Sequence, residues 1–219
     1  MTLISKWPMT SDASWTARLL VAGLVIFFIG AALWLPSEFQ AASLVDCLRH
    51  IAARPARWRW IHAWMACGLV IELAGVRGLC ELLREAGERL ATPIAATLFQ
   101  TGAVLWLLAM ALRVTIQEWA ATETIDGALP AVYPSVHRLA GLLHASHMIL
   151  SYLAAAGLGA GVLRSGILPS WLGWTGVVAG SSFALAFGAF RVGLLGMPFL
   201  ALVYPCLLGV QLWRLRGTL

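Results

Sequence analysis

Apolar runs of membrane-spanning length recur along most of the chain, and this one feature limits what the chain can become. Six runs can be drawn across 219 residues, at about 17–35, 60–79, 92–112, 135–163, 171–190 and 194–213. An α-helix rises about 1.5 Å per residue, so about 20 apolar residues cross the roughly 30 Å hydrocarbon core of a bilayer. Inside that core the backbone must satisfy its own hydrogen bonds, and an apolar run does so as a helix. The expected fold is an all-α polytopic transmembrane helix bundle of six spans. It forms a single transmembrane domain over residues 1–219. The first run is long for a signal-peptide core and lacks an A-x-A cleavage pattern, so it reads as a retained span.

Composition agrees and excludes other classes. Hydrophobic residues make up 60% of the chain and charged residues 11%, against about 25% in soluble domains. Mean hydropathy is +0.83. The net charge of +5 comes from arginines flanking the runs, where they meet lipid headgroups and set topology. No basic patch interleaved with aromatics is present, so nucleic acid is not an expected partner. GxSxG, P-loop and GxGxxG patterns are absent. The four cysteines form no CxxC or CxxCH pair.

Between the first two runs, residues 38–51 alternate apolar and polar positions at helical spacing, as an amphipathic helix lying at the interface does. Trp7, Trp58, Trp60, Trp119, Trp171, Trp174 and Trp213 fall near run ends and read as an aromatic belt. Arginine counts on the two sides nearly balance. The cationic tail, Arg214 and Arg216, favours both termini in the cytoplasm. The bilayer is the first partner. A membrane protein partner or a second copy of the chain would dock laterally, because the connections are short.

Polar groups within the runs are the functional suspects, since an ionisable group in hydrocarbon is costly. In the fourth run His137, His144 and Ser151 are seven apart, and His147 lies one turn from His144. At 100° per residue they share one stripe, expected to face the bundle interior. The second run supplies His62 and Glu72, and the third Gln100. Three readings stay open. The polar groups fix bundle packing through interhelical hydrogen bonds. His62, His144 and His147 hold haem or a transition metal, neutral imidazole being its usual ligand. Glu72, His137, His147 and Gln100 form a proton path. Gly157, Gly161, Gly176 and Gly180 offer small-xxx-small helix contacts.

The stretch from Leu163 to Gly176, LRSGILPSWLGWTG, leads into Val177-Val178-Ala179-Gly180, and Ala53-Arg54-Pro55-Ala56-Arg57-Trp58-Arg59 precedes His62. Both resemble an uncharacterised family of six-helix bacterial integral membrane proteins, a domain of unknown function with an RSGxLPxWLGW turn. The resemblance implies six spans over nearly the whole chain and supplies no catalytic residue. His144 and His147 are not part of that pattern. The leading expectation is a non-catalytic integral membrane protein, such as an accessory subunit. The alternatives are a haem- or metal-binding redox protein and a small proton-coupled transporter using Glu72.

Overall fold

The computed structural model describes residues 11–34, 43–124, 127–190 and 196–216. Among them the chain is helical and holds no strand. Helix α1 is Ser11–Trp34, α2 Leu44–Ala53, α3 Pro55–Glu85 and α4 Ala91–Leu112. A π-turn at Arg113–Gln117 joins α4 to α5, Glu118–Glu123. Helices α6, Tyr133–Ser165, α7, Ser170–Phe190, and α8, Leu200–Arg216, complete the chain.

Four helical stretches are long and apolar enough to cross a membrane: Asp12–Ala32, Ala91–Glu123, Tyr133–Ser165 and Ser170–Phe190. Two others fall short for different reasons. Helix α3 has 31 residues, about 46 Å, but carries Glu72 and Arg77 in its apolar part. Helix α8 is apolar and has 17 described residues. Large apolar side chains such as Val25, Phe28, Leu142, Val178 and Leu185 lie exposed on the outside of the bundle. Water would not tolerate so extensive an apolar surface, whereas lipid does.

Without a hydrophobic force between helices in lipid, close backbone approach must hold the bundle together, and glycine permits it. On α3, a Cβ at Gly68 would lie 2.7 Å from Gly23 O of α1, and one at Gly75 would lie 2.8 Å from Leu20 N. These contacts make α1–α3 a close-packed helix pair, with α8 against its other side through Gly209 and Leu20. Helix α6 packs closely on both α4 and α7, and its buried side chains belong to the same core as those of α1 and α3. Gly157 faces Ala95 and Gly161 faces Thr92, both on α4. The tightest α6–α7 crossing is Gly159 against Gly173, where a Cβ at Gly159 would stand 2.5 Å from Gly173 O. Gly176 meets Tyr204 of α8, and Gly180 meets Tyr152 O and Ala156 N of α6.

The ends are set locally. Ser43 Oγ accepts the Asp46 N–H at 3.1 Å and caps α2. The start expected for that interfacial helix, residues 38–42, lies outside the described residues, as do Lys6, Trp7, Asp126 and the turn at 191–195. Helix α2 packs on α5. Gly166, at φ +66°, ends α6 in the left-handed conformation that a residue with a Cβ resists. Ahead of α4, the Glu88 carboxylate accepts the N–H groups of Leu90, Ala91 and Thr92 at 2.9, 2.8 and 2.7 Å, and the Thr92 hydroxyl. The stretch from Arg113 to Glu123, expected as a connection, continues the helix instead.

Candidate functional site

The polar groups divide into two places. Glu72 sits alone in the first. It is 0% exposed, and no side chain pairs with either carboxyl oxygen; only the Leu24 backbone of α1 comes close to it. Gly23 of α1 lies directly against it; a Cβ there would stand 2.5 Å from Glu72 Oε2. Cys206 of α8 is within electrostatic range. Glu72 therefore lies between α1, α3 and α8. No hydrogen bond joins it to the histidines.

The second place lies between α4 and α6 and gathers Gln117, His147 and Ser151, with His144 beside them. His147 and Ser151 are buried where the sequence stripe put them. A carbonyl oxygen only accepts, so the contact of His147 Nδ1 with Gly102 O at 3.0 Å makes Nδ1 the donor nitrogen. Ser151 Oγ approaches the same nitrogen at 3.3 Å. His144 likewise donates through Nε2 to Gly196 O at 2.8 Å, tying α6 to the segment ahead of α8. Its Nδ1 is then an acceptor, is buried and has no partner. His62 on α3 donates through Nδ1 to Trp58 O at 2.9 Å.

Trp106 of α4 holds the two α6 histidines. Its ring centroid is 4.7 Å from that of His144 and 5.2 Å from that of His147, nearly parallel to the latter. The Trp106 side chain is 1% exposed, and its Nε1 donor has no partner. Above the ring lies the Arg113 guanidinium, 5.7 Å from the centroid, a cation–π contact. Arg113 is within electrostatic reach of His62, His137, His144 and Tyr133. Gln117 Nε2 donates to the Tyr133 hydroxyl at 3.2 Å and approaches His137 Nδ1 at 3.5 Å, while Gln117 Oε1 is buried without a partner.

The π-turn builds this arrangement. Trp106, Arg113 and Gln117 are separated by seven and four residues, a spacing that returns to one helix face. The wide turn at Arg113–Gln117 is a local departure often retained at functional sites. Its Arg113 carbonyl accepts from Trp58 Nε1 at 3.2 Å, and its Thr115 hydroxyl donates back to Ala111 O of α4 at 2.7 Å.

Several residues stand elsewhere than the sequence placed them. Trp58, expected in the aromatic belt, is buried against Arg113 and His62; Trp60, Trp171, Trp174 and Trp213 are exposed. Gln100 is exposed on the outside of α4 and accepts from Arg77, away from His147. His137 is partly buried beside Tyr133, with ring centroids 5.8 Å apart. Among the described residues, no group of three or more His, Cys, Asp and Glu gathers as a metal ion would require. Arg113, Trp106, Gln117 and Tyr133 were not singled out from the sequence. Their signal was the seven-then-four spacing on an apolar helix, cut short by ending the run at Leu112.

No family model, curated protein or solved structure matches the chain.

Proposed function

We propose that the chain is a six-span integral membrane protein of a bacterial inner membrane that acts by binding, with the Arg113 cluster as its ligand site. The four long apolar helices supply four spans; α3 and α8 supply the others, with α2 lying at the interface. Glu72 and Arg77 in α3 do not oppose this. Glu72 is shielded by α1 and α8, and Arg77 lies towards the end of the apolar part of α3, where a long side chain reaches the interface. Both termini then lie on one side, the cytoplasmic one.

One observation carries the binding reading. Trp106 Nε1, Gln117 Oε1 and His144 Nδ1, all buried around Arg113, have no partner among the described residues. An unsatisfied buried polar atom costs about 1–3 kcal/mol, so three in one cluster imply that something else meets them. The donors and acceptors define its chemistry. Arg113 and the Trp106 N–H suit an anionic or carbonyl end. Gln117 Oε1 and His144 Nδ1 suit a hydroxyl or amine.

The test is native mass spectrometry of protein extracted in mild detergent. A small molecule retained by the native chain and lost from Arg113→Gln supports the reading. A folded native chain that carries none refutes it.

A haem or metal on His62, His144 and His147 is a second reading, favoured by one feature. Each of these rings donates an N–H to a backbone carbonyl, the orientation that metal-ligating histidines usually have. It ranks second because Trp106, rather than another ligand, packs against His144 and His147. Elemental mass spectrometry decides it. About one metal per chain, lost from His144→Ala, supports this reading. Metal-free folded protein ends it.

A further inference from the structure

At the opposite end of α4 from Arg113, about 30 Å away along the helix, lies a second polar site. It is a crevice of about 280 Å³ between α3 and α4, lined by Arg77, Glu81 and Arg84 on one side and by Thr92 and Ala96 on the other. Its charges do not balance. Arg84 is matched by Glu81, with Nε at 3.0 Å from Oε2. Glu85 lies within electrostatic reach of the same Arg84, and Glu88 is held by the amides of α4, with Arg164 Nη1 at 3.8 Å. Arg77 donates to the neutral Gln100 and, among the described residues, has no carboxylate partner. Among the residues that line the crevice two arginines face one glutamate, and Arg77, exposed at the outer surface of the bundle, is the one without a carboxylate.

The surroundings say what matches it. The crevice lies where α3 ends and α4 begins, the depth of lipid headgroups if these helices span. Moving towards mid-bilayer, Val70 precedes Arg77 by two turns and Val104 follows Gln100 by one. They continue the same two helix rows, and both are more than half exposed. A charged end above and two apolar rows below have the polarity of a phospholipid. A phosphodiester carries the single negative charge that Arg77 lacks, and basic clefts between membrane helices are known headgroup sites. We infer that the α3–α4 crevice binds the phosphodiester headgroup of an anionic phospholipid, with Arg77 as its cation and an acyl chain laid along Val70 and Val104.

This rests on reading α3 and α4 as membrane spans, which labelling of single cysteines at the two ends of α3 tests separately. The test is thermal unfolding of purified, delipidated protein in micelles doped with phosphatidylglycerol or phosphatidylcholine. Phosphatidylglycerol protects the native chain at the lower concentration. In Arg77→Gln the concentration giving half the protection rises about fivefold, the attraction of one arginine to an anionic lipid. Arg138→Gln, an exposed arginine on α6 outside the crevice, changes nothing. Ala96→Trp fills the crevice while keeping both arginines, and it also removes the preference; it carries the test if Arg77→Gln does not fold. Equal protection by the two lipids, or an unchanged response in Arg77→Gln, overturns the inference. Protection by glycerol phosphate alone, at the same concentration, overturns the lipid assignment in favour of a free phosphate.

Discussion

Replacing Glu88 by glutamine is expected to cost on the order of 3 kcal/mol near neutral pH and almost nothing near pH 2. Burial alone pushes this carboxyl up. The hydrogen bonds from the Thr92 hydroxyl and the amides of Ala91, Leu90 and Thr92 outweigh it and hold the carboxyl at about 2, against an ordinary 4.5. The side chain is 1% exposed, so solvent screening is slight. A carboxyl held at about 2 and not 4.5, at about 1.36 kcal/mol for each tenfold change in proton affinity, gives the magnitude. The folded value is the lower one, so this contribution is complete above about pH 4.5 and is lost as pH falls towards 2. Glutamine mimics the protonated form and keeps its shape. The assay is reversible unfolding in mixed micelles by denaturing detergent, for native chain and Glu88→Gln, across that range. The two curves should differ most near pH 7 and converge at the acid end. A gap that is absent at pH 7, or that persists unchanged at pH 2, would refute the reasoning.

Three further outcomes follow from the packing and the stranded groups. Gly68→Ala should destabilise by about 1–3 kcal/mol in the same unfolding assay, since its Cβ would meet the backbone of α1, which cannot yield as a side chain does. Glu72→Met should stabilise by about 1–3 kcal/mol, because it removes a buried carboxyl that no side chain pairs with and retains its bulk; a loss of stability would show that the contact with the Leu24 backbone outweighs the burial. Trp106→Phe keeps a ring between His144 and His147 but deletes the stranded N–H. It should unfold at nearly the native midpoint yet retain less of the molecule bound by the Arg113 cluster, as read by native mass spectrometry.

What was legible in the sequence was the solvent-facing physics. Apolar runs place α1, α4, α6 and α7 because a span must be apolar along its length, and period reveals the His144, His147 and Ser151 stripe. Helix α3 was legible as a run, but its charges blur the distinction between a span and a long amphipathic helix. The site is legible in the sequence only at the histidines of α6 and at His62 of α3. Arginine at the end of an apolar run ordinarily marks the interface, so Arg113 was treated as a boundary. The π-turn that carries Arg113 and Gln117 inward has no distinctive residue pattern. Helix contacts were only half visible. Gly157 and Gly161 stood out as a small-xxx-small pair, but the Gly23–Gly68 and Gly159–Gly173 crossings depend on which helices meet. Spacing within one helix does not contain that information.

The account depends most on α3 crossing the membrane, because that crossing makes six spans, isolates Glu72 in the bundle and puts Arg77 among lipid headgroups. The direct measurement is labelling of single cysteines by a membrane-impermeant reagent in intact cells and in inverted vesicles. The background chain has its four native cysteines replaced. Arg57→Cys and Glu85→Cys report the two ends of α3. Labelling of each from one side only, and from opposite sides, is the expected result. Labelling of both from the same side would contradict the account.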